Sequence, residues 1–259
     1  MLGFWSGVED SYIREKLYLT WEYDSELYIE AKDWPTSIEQ GHWQAREDFY
    51  NSKFCICPGG PQLDGFIAFA IHYGCIPVIL SDYYDLPFND ILDWRKFSVI
   101  LKENDVYSLK KILQDIPKKT YEALQNHTFM VQKHFQWNLS PVKYDAFHMV
   151  MYDLWLRHHA TSGLPAQNRH QAWARTIEDS AQDSDAFDMD CEGTEMNFKI
   201  SVYPHNTNFC EEPRKLEAEF GNEGLFYENL NRSRFLTKDP DKAHLFLIPT
   251  YCHSLPAED

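Results

Sequence analysis

No stretch of this chain reaches the ~18 apolar residues that a membrane span requires. Its first residues, MLGFWSGVED, have neither the basic start nor the long apolar core of a secretory leader. As it stands, the sequence shows no targeting or anchoring device. Basic residues are scarce as well: 24 Lys and Arg face 40 Asp and Glu, a formal charge of −16. That balance argues against an electrostatic grip on nucleic acid or an anionic membrane, so an anionic ligand would need local positive charge. Six cysteines in 259 residues do not make a disulfide scaffold, and no paired C-x-x-C spacing marks a zinc site. The sequence also lacks a G-x-G-x-x-G turn and a P-loop lysine, which disfavours a dinucleotide or P-loop nucleotide enzyme.

What is present is a globular composition, 44% hydrophobic, with room for one large domain or two smaller ones. The most informative stretch runs from Lys53 to Phe88, KFCICPGGPQLDGFIAFAIHYGCIPVILSDYYDLPF. Lys53 to Cys57 is β-prone, Pro58-Gly59-Gly60 breaks the run, a helix closes at Gly74, and Ile76 to Leu80 forms a second apolar strand. This is one βαβ unit of a parallel sheet. Ligands of such sheets sit beyond the carboxyl ends of the strands, so Gly59-Gly60 and Ser81-Asp82 should face a crevice. A glycine there lets backbone N–H groups approach a phosphate, and the helix that follows adds partial positive charge. Asp85-Leu-Pro-Phe reads as a rigid loop on its rim.

Strand and helix signals alternate on either side of this block. A strand from Leu2 to Trp5 ends in a Ser6-Gly7 turn, and a helix with Ile13, Leu17 and Trp21 on one face follows. A strand at Glu26 to Ile29 and a helix around Trp43 to Tyr50 come next. Beyond the block lie a strand at Phe97 to Leu101, a helix stopped by Pro117, and helices at Tyr121 to Trp137 and Tyr144 to His158. The alternation predicts an α/β fold, a Rossmann-like parallel sheet covered on both faces. From Thr161 to about Met196 the chain is polar, acidic and aperiodic, a linker signature. Phe198, Ile200 and Val202 then alternate, followed by a helix at Asn222 to Arg232 and a strand at His244 to Ile248. The organisation expected is a domain over 1–160, a linker over 161–196 and a partial α/β segment over 197–259.

Several groups carry candidate chemistry. Gly7 follows the first strand, and Arg14 in the next helix offers a bidentate fork to a diphosphate; a turn glycine and a solvated arginine are the plainer alternative. Cys55 and Cys57 fall on one strand face, as a metal-ligand pair, a disulfide partner for Cys75, or, most commonly for such a pattern, small buried hydrophobes. Asp183-Ser-Asp185 and Asp188-Met-Asp190 match a D-x-D metal motif but lie in the acidic linker, where a solvated charge run is the expected state. His158-His159 and the His127/His134 pair fit helix ends and surfaces better than a metal. Asn126-His-Thr, Asn138-Leu-Ser and Asn231-Arg-Ser are glycosylation sequons.

Taken together, KFCICPGG, AIHYGCIPVILSDYYDLPF, ILDWRKFSVIL, VQKHFQWN and FHMVMYDLWLRHH strongly resemble the carboxyl half of plant exostosin-type glycosyltransferases, carbohydrate-active family 47. The resemblance covers about Leu2 to His159. It implies the donor half of a two-domain GT-B enzyme of the Golgi that takes a UDP-sugar, builds cell-wall polysaccharide and needs no metal or other cofactor. It also implies that Gly7, Arg14, Gly59, Gly60, Ser81 and Asp82 fall at donor-site positions. The family pattern continues C-P-x-G with an arginine for phosphate and, three residues on, an acid for the ribose hydroxyls. Counted back from His72-Tyr73-Gly74-Cys75, those positions here hold Phe66 and Phe69, which can neither neutralise a phosphate nor accept from a hydroxyl. Residues 198–256 resemble the start of the family's amino-terminal, acceptor-side domain, so the chain reads as the end of one such enzyme followed by the start of another. An inactive remnant or interaction module from a truncated or merged tandem gene is the alternative to an active transferase. The general base is unassigned, with Glu223, Glu228 and His253 as candidates on that segment.

Overall fold

The structure, a computed structural model, describes residues 1–32, 47–61, 63–161, 198–203 and 221–248. All of the stretch read as a linker except Thr161, both D-x-D motifs and His253 lie outside these residues, as do the first four residues of the helix expected at Trp43 to Tyr50. The described chain falls into two compact units, one formed by 1–89 and 93–136, the other by 90–92 and the residues from Trp137 onward.

The first unit is a five-stranded, all-parallel sheet in the order β2-β1-β3-β4-β5, with β1 at Gly3–Gly7, β2 at Leu27–Ala31, β3 at Phe54–Pro58, β4 at Ile76–Leu80 and β5 at Val99–Leu101. Helix α1 (Tyr12–Trp21) joins β1 to β2, and α2 (Leu63–His72) joins β3 to β4. Beyond β5, a 3₁₀ stretch at Glu103–Ser108 leads into α3 (Leu109–Gln114) and then α4 (Lys118–Val131). Alternate residues of each strand point to opposite faces, and both faces are covered. Trp5, Ile56 and Val78 join Ile13, Leu17, Val106 and Leu109 on one side; Phe4 and Cys55 join Phe49, Ala70 and Cys75 on the other. Every residue of β3 and β4 is buried, which is why both read as uninterrupted apolar runs and not as alternating ones.

Two details differ from the sequence-based expectation. Gly7 is the last residue of β1, paired with Ala31, and not part of a turn; the small residue fits because a Cβ there would lie 3.3 Å from the Trp5 ring. The helix expected ahead of Pro117 is split, since Glu103–Ser108 is 3₁₀ and only Leu109 onward is α-helical. The expected stop at Gly74 holds. Gly74 takes φ of +71°, its N–H bonds Ile71 O, and Cys75 N–H bonds Ala70 O, so the last carbonyls of α2 are satisfied.

The cysteines of β3 part ways. Cys55 forms a disulfide with Cys75, while Cys57 is a free, buried thiol whose burial pushes its pKa well above the ordinary value. The disulfide reading therefore holds for one and the buried-hydrophobe reading for the other.

The second unit comprises α5 (Ala146–Thr161), α6 (Gly221–Arg232) and a two-stranded parallel sheet of β6 (Ile200–Val202) and β7 (Leu245–Leu247). Phe147 and Met151 of α5 pack with Phe198, Ile200, Leu230 and Phe235. The helix read as closing the first domain thus shares a core with the carboxyl-terminal segment. Asp145, 2% exposed, precedes α5 and accepts bonds from Asn138 Nδ2 (3.0 Å), Val142 N (2.8 Å) and His148 N (3.2 Å), with His148 Nδ1 at 2.9 Å. Burial pushes its carboxyl up, but these bonds outweigh it and hold the pKa below the ordinary 3.8. A depressed pKa stabilises the fold above the unfolded-state value, and that contribution is lost as pH falls through the lower folded value. Asp145→Asn should therefore melt below the parent at pH 7, by about 1–3 kcal/mol. The gap should narrow at acid pH below the ordinary carboxylate range, and thermal melts across that range check it.

Candidate functional site

In the strand order β2-β1-β3-β4-β5, connections leave in opposite directions from β1 and β3, so the crevice of this sheet lies between their carboxyl ends. Five residues meet there, four of them expected from sequence. A Cβ on Gly59 would lie 3.0 Å from Ser81 Oγ. Gly60 takes φ of +137°, in the left-handed region, and a Cβ on it would lie 2.8 Å from Ser11 Oγ and 3.1 Å from Arg14 Nε. Any side chain here would be strained and would fill the space between the β3 turn and α1.

Arg14 is no solvated helix residue; it is 6% exposed. Its Nη1 donates to Asp10 Oδ1 at 2.6 Å and its Nη2 to Pro61 O, which ties the start of α1 to the β3 turn. The Nε atom is buried and has no partner among the described residues. Removing a guanidinium N–H from water without a partner is costly, so Arg14 keeps an unused donor beside Gly60.

Ser11 was not singled out from the sequence. It stands at the N-cap of α1, but its hydroxyl makes no capping bond and instead donates to Gly59 O at 2.6 Å. The first N–H groups of α1 are thus left without a side-chain cap beside the guanidinium, an arrangement that favours negative charge. A serine immediately before a helical apolar pattern is the signal that could have drawn attention to it. Asp10 and Pro61 carried no such signal, because their roles depend on Arg14 turning inward.

The remaining residues are placed differently. Gly7 ends β1 at the same edge, its carbonyl accepting from Lys32 N at 2.9 Å. Asp82 is exposed, and its Oδ1 accepts from Glu103 N at 3.2 Å, a bond that holds the turn after β5. Phe66 and Phe69 lie on α2 in an aromatic cluster. Phe66 stands 6.0 Å from Phe4 and 5.2 Å from Phe49, and Phe69 stands 6.3 Å from Phe49, ring centre to ring centre. Glu228 pairs with Arg232 at 2.8 Å in the second unit, on the same helix as Glu223. Among the described residues no group of three or more His, Cys, Asp or Glu is disposed to hold a metal, and no helix is long and apolar enough to cross a membrane.

A five-stranded parallel sheet covered by helices, with a glycine turn, a buried arginine and an uncapped helix start at its switch point, defines a Rossmann-like α/β domain. Residues 4–116 match the sequence model of the family described as "Exostosin GT47 domain". Similar curated proteins include a "Probable glycosyltransferase" of Arabidopsis thaliana, 34% identical over 157 residues, which are 60% of this chain and 32% of that protein. A "Probable glucuronoxylan glucuronosyltransferase" of the same plant is 29% identical over 42% of this chain and 24% of its own length. Exostosin-2 of Homo sapiens is 36% identical over 29% of this chain and 10% of its own length. The chain spans about a third or less of these relatives. Residues 4–116 thus carry an exostosin GT47 domain, and over that part the chain is similar to plant exostosin-like glycosyltransferases.

Proposed function

We propose that the first unit binds the diphosphate of a UDP-sugar at the β1/β3 switch point, as the donor half of an enzyme that transfers the sugar to a hydroxyl of a cell-wall polysaccharide or glycan in the Golgi. The observation that carries this reading is the buried Arg14, its Nε unpartnered among the described residues and facing Gly60. In the transfer, the acceptor hydroxyl gives its proton to a general base and its oxygen bonds the anomeric carbon, while the bond from that carbon to the β-phosphate oxygen breaks and UDP departs with the electron pair. Positive charge held at the diphosphate stabilises that leaving group. The reading expects no metal, with the start of α1 and the Arg14 guanidinium, shared with Asp10, as the positive groups nearest the diphosphate.

Calorimetric titration with UDP tests it. Saturable binding is expected, weakened by Arg14→Gln by about 10- to 150-fold, the worth of a charge-assisted hydrogen bond. Gly60→Trp, which fills the space over the β3 turn, should abolish it. Circular dichroism of both variants reports whether the fold survives.

A second reading, a non-catalytic remnant or interaction module, is favoured by Phe66 and Phe69, rings where the family pattern has an arginine and an acid. Phe66 packs on Phe4 and Phe49, and Phe69 touches Phe49 while staying 41% exposed. No binding of UDP at millimolar concentration would defeat the donor reading in favour of this one.

A further inference from the structure

The three sequons are equivalent in sequence, but the fold treats them differently. Asn138 is half-buried; its Nδ2 donates to Asp145 Oδ2 at 3.0 Å, and its carbonyl accepts from Asn229 Nδ2 at 2.9 Å. A sugar on that nitrogen would intrude on Asp145, which is 2% exposed. Asn126 lies inside the 14-residue helix α4, and its Thr128 is fully buried, its hydroxyl bonded to Leu124 O at 2.9 Å and Phe97 O at 3.1 Å. Reading that sequon means unwinding α4 on both sides. Asn231 is exposed in the last turn of α6, where helices fray. Its inward neighbours Asn229 and Leu230 are both 0% exposed and fix the helix face, so the asparagine projects away from the core. Ser233 sits beyond the helix in a turn, its hydroxyl bonded only locally, to Leu230 O at 2.8 Å and from Phe235 N at 3.2 Å.

We infer that Asn231 carries an N-linked glycan and that Asn126 and Asn138 stay bare. This rests on the Golgi reading above, and the Cys55–Cys75 disulfide supports it independently, because such bonds persist in oxidising compartments. The co-reactant is a lipid-diphosphate-linked oligosaccharide. The Asn231 amide nitrogen bonds the anomeric carbon as the carbon–oxygen bond to the diphosphate breaks. The amide proton passes to a base, the lipid diphosphate leaves with the electron pair, and nothing is oxidised or reduced.

The test uses the full chain purified from plant cells. Digestion with a peptide-N-glycosidase should lower its mass by one glycan and convert Asn231 to aspartate, and both Asn231→Gln and Ser233→Ala should remove the glycosidase-sensitive shift. An unshifted protein, a shift that survives Asn231→Gln, or conversion at Asn126 or Asn138 overturns the assignment. Thiol titration under denaturing conditions separates the two layers. A formed Cys55–Cys75 bond with a bare Asn231 sinks the glycan alone, whereas reduced cysteines sink the Golgi reading with it.

Discussion

Replacing Phe66 by Arg together with Phe69 by Glu is expected to raise the affinity for UDP by about two orders of magnitude while lowering the melting temperature. In the family pattern these positions carry the groups that serve phosphate and ribose, and here each is a ring. Each charged contact is worth about 1–3 kcal/mol, so two regained contacts correspond to roughly a hundredfold or more in Kd. The loss in stability follows from the rings they leave. Phe66 and Phe69 contribute three contacts to Phe4 and Phe49, and aromatic pairs add about 0.5–1.5 kcal/mol each beyond burial. Destabilisation of about 2–4 kcal/mol is the expected outcome. Titration of the double variant against the parent decides the matter, because unchanged UDP affinity in a folded variant would mean that this part of α2 does not face the donor.

The second large effect is on stability. Substituting Cys55 and Cys75 together by serine should cost about 3 kcal/mol, since the bond closes a loop with a sequence separation of 20 and restricts the unfolded chain accordingly. For a domain of this size that corresponds to roughly 10–15 °C in melting temperature. Cys57→Ser puts a hydroxyl into a fully buried site; it should destabilise through that burial alone and leave the disulfide in place. Equal melting of the parent with and without reductant would contradict the first expectation.

The two cysteine substitutions also show what sequence could and could not carry. Alternation placed Cys55 and Cys57 on one face, yet the partner of each depended on where the end of α2 delivers Cys75, a long-range matter that spacing does not encode. Arg14 makes the same point. Its position after β1 made it a candidate, but a solvated arginine was the plainer alternative, and only packing against Pro61 and Gly60 buried it. Ser11 was missed because capping serines are common, and this one differs only in what its hydroxyl reaches across 48 positions in the chain.

By itself, the sequence determined the parallel α/β sheet, the strand, turn and helix of the block from Lys53 to Phe88, and the helix stop at Gly74. These follow from local causes: the period of the apolar residues, the backbone freedom of glycine and the missing N–H of proline. Tertiary structure alone decided that Arg14 turns inward over Gly60 and that Cys55 takes Cys75 and leaves Cys57 free. It also decided that Phe66 and Phe69 join an aromatic cluster and that α5 shares a core with β6 and α6. Each of these depends on which surfaces meet after the chain has closed on itself, and the energy of such contacts is set by residues tens of positions away.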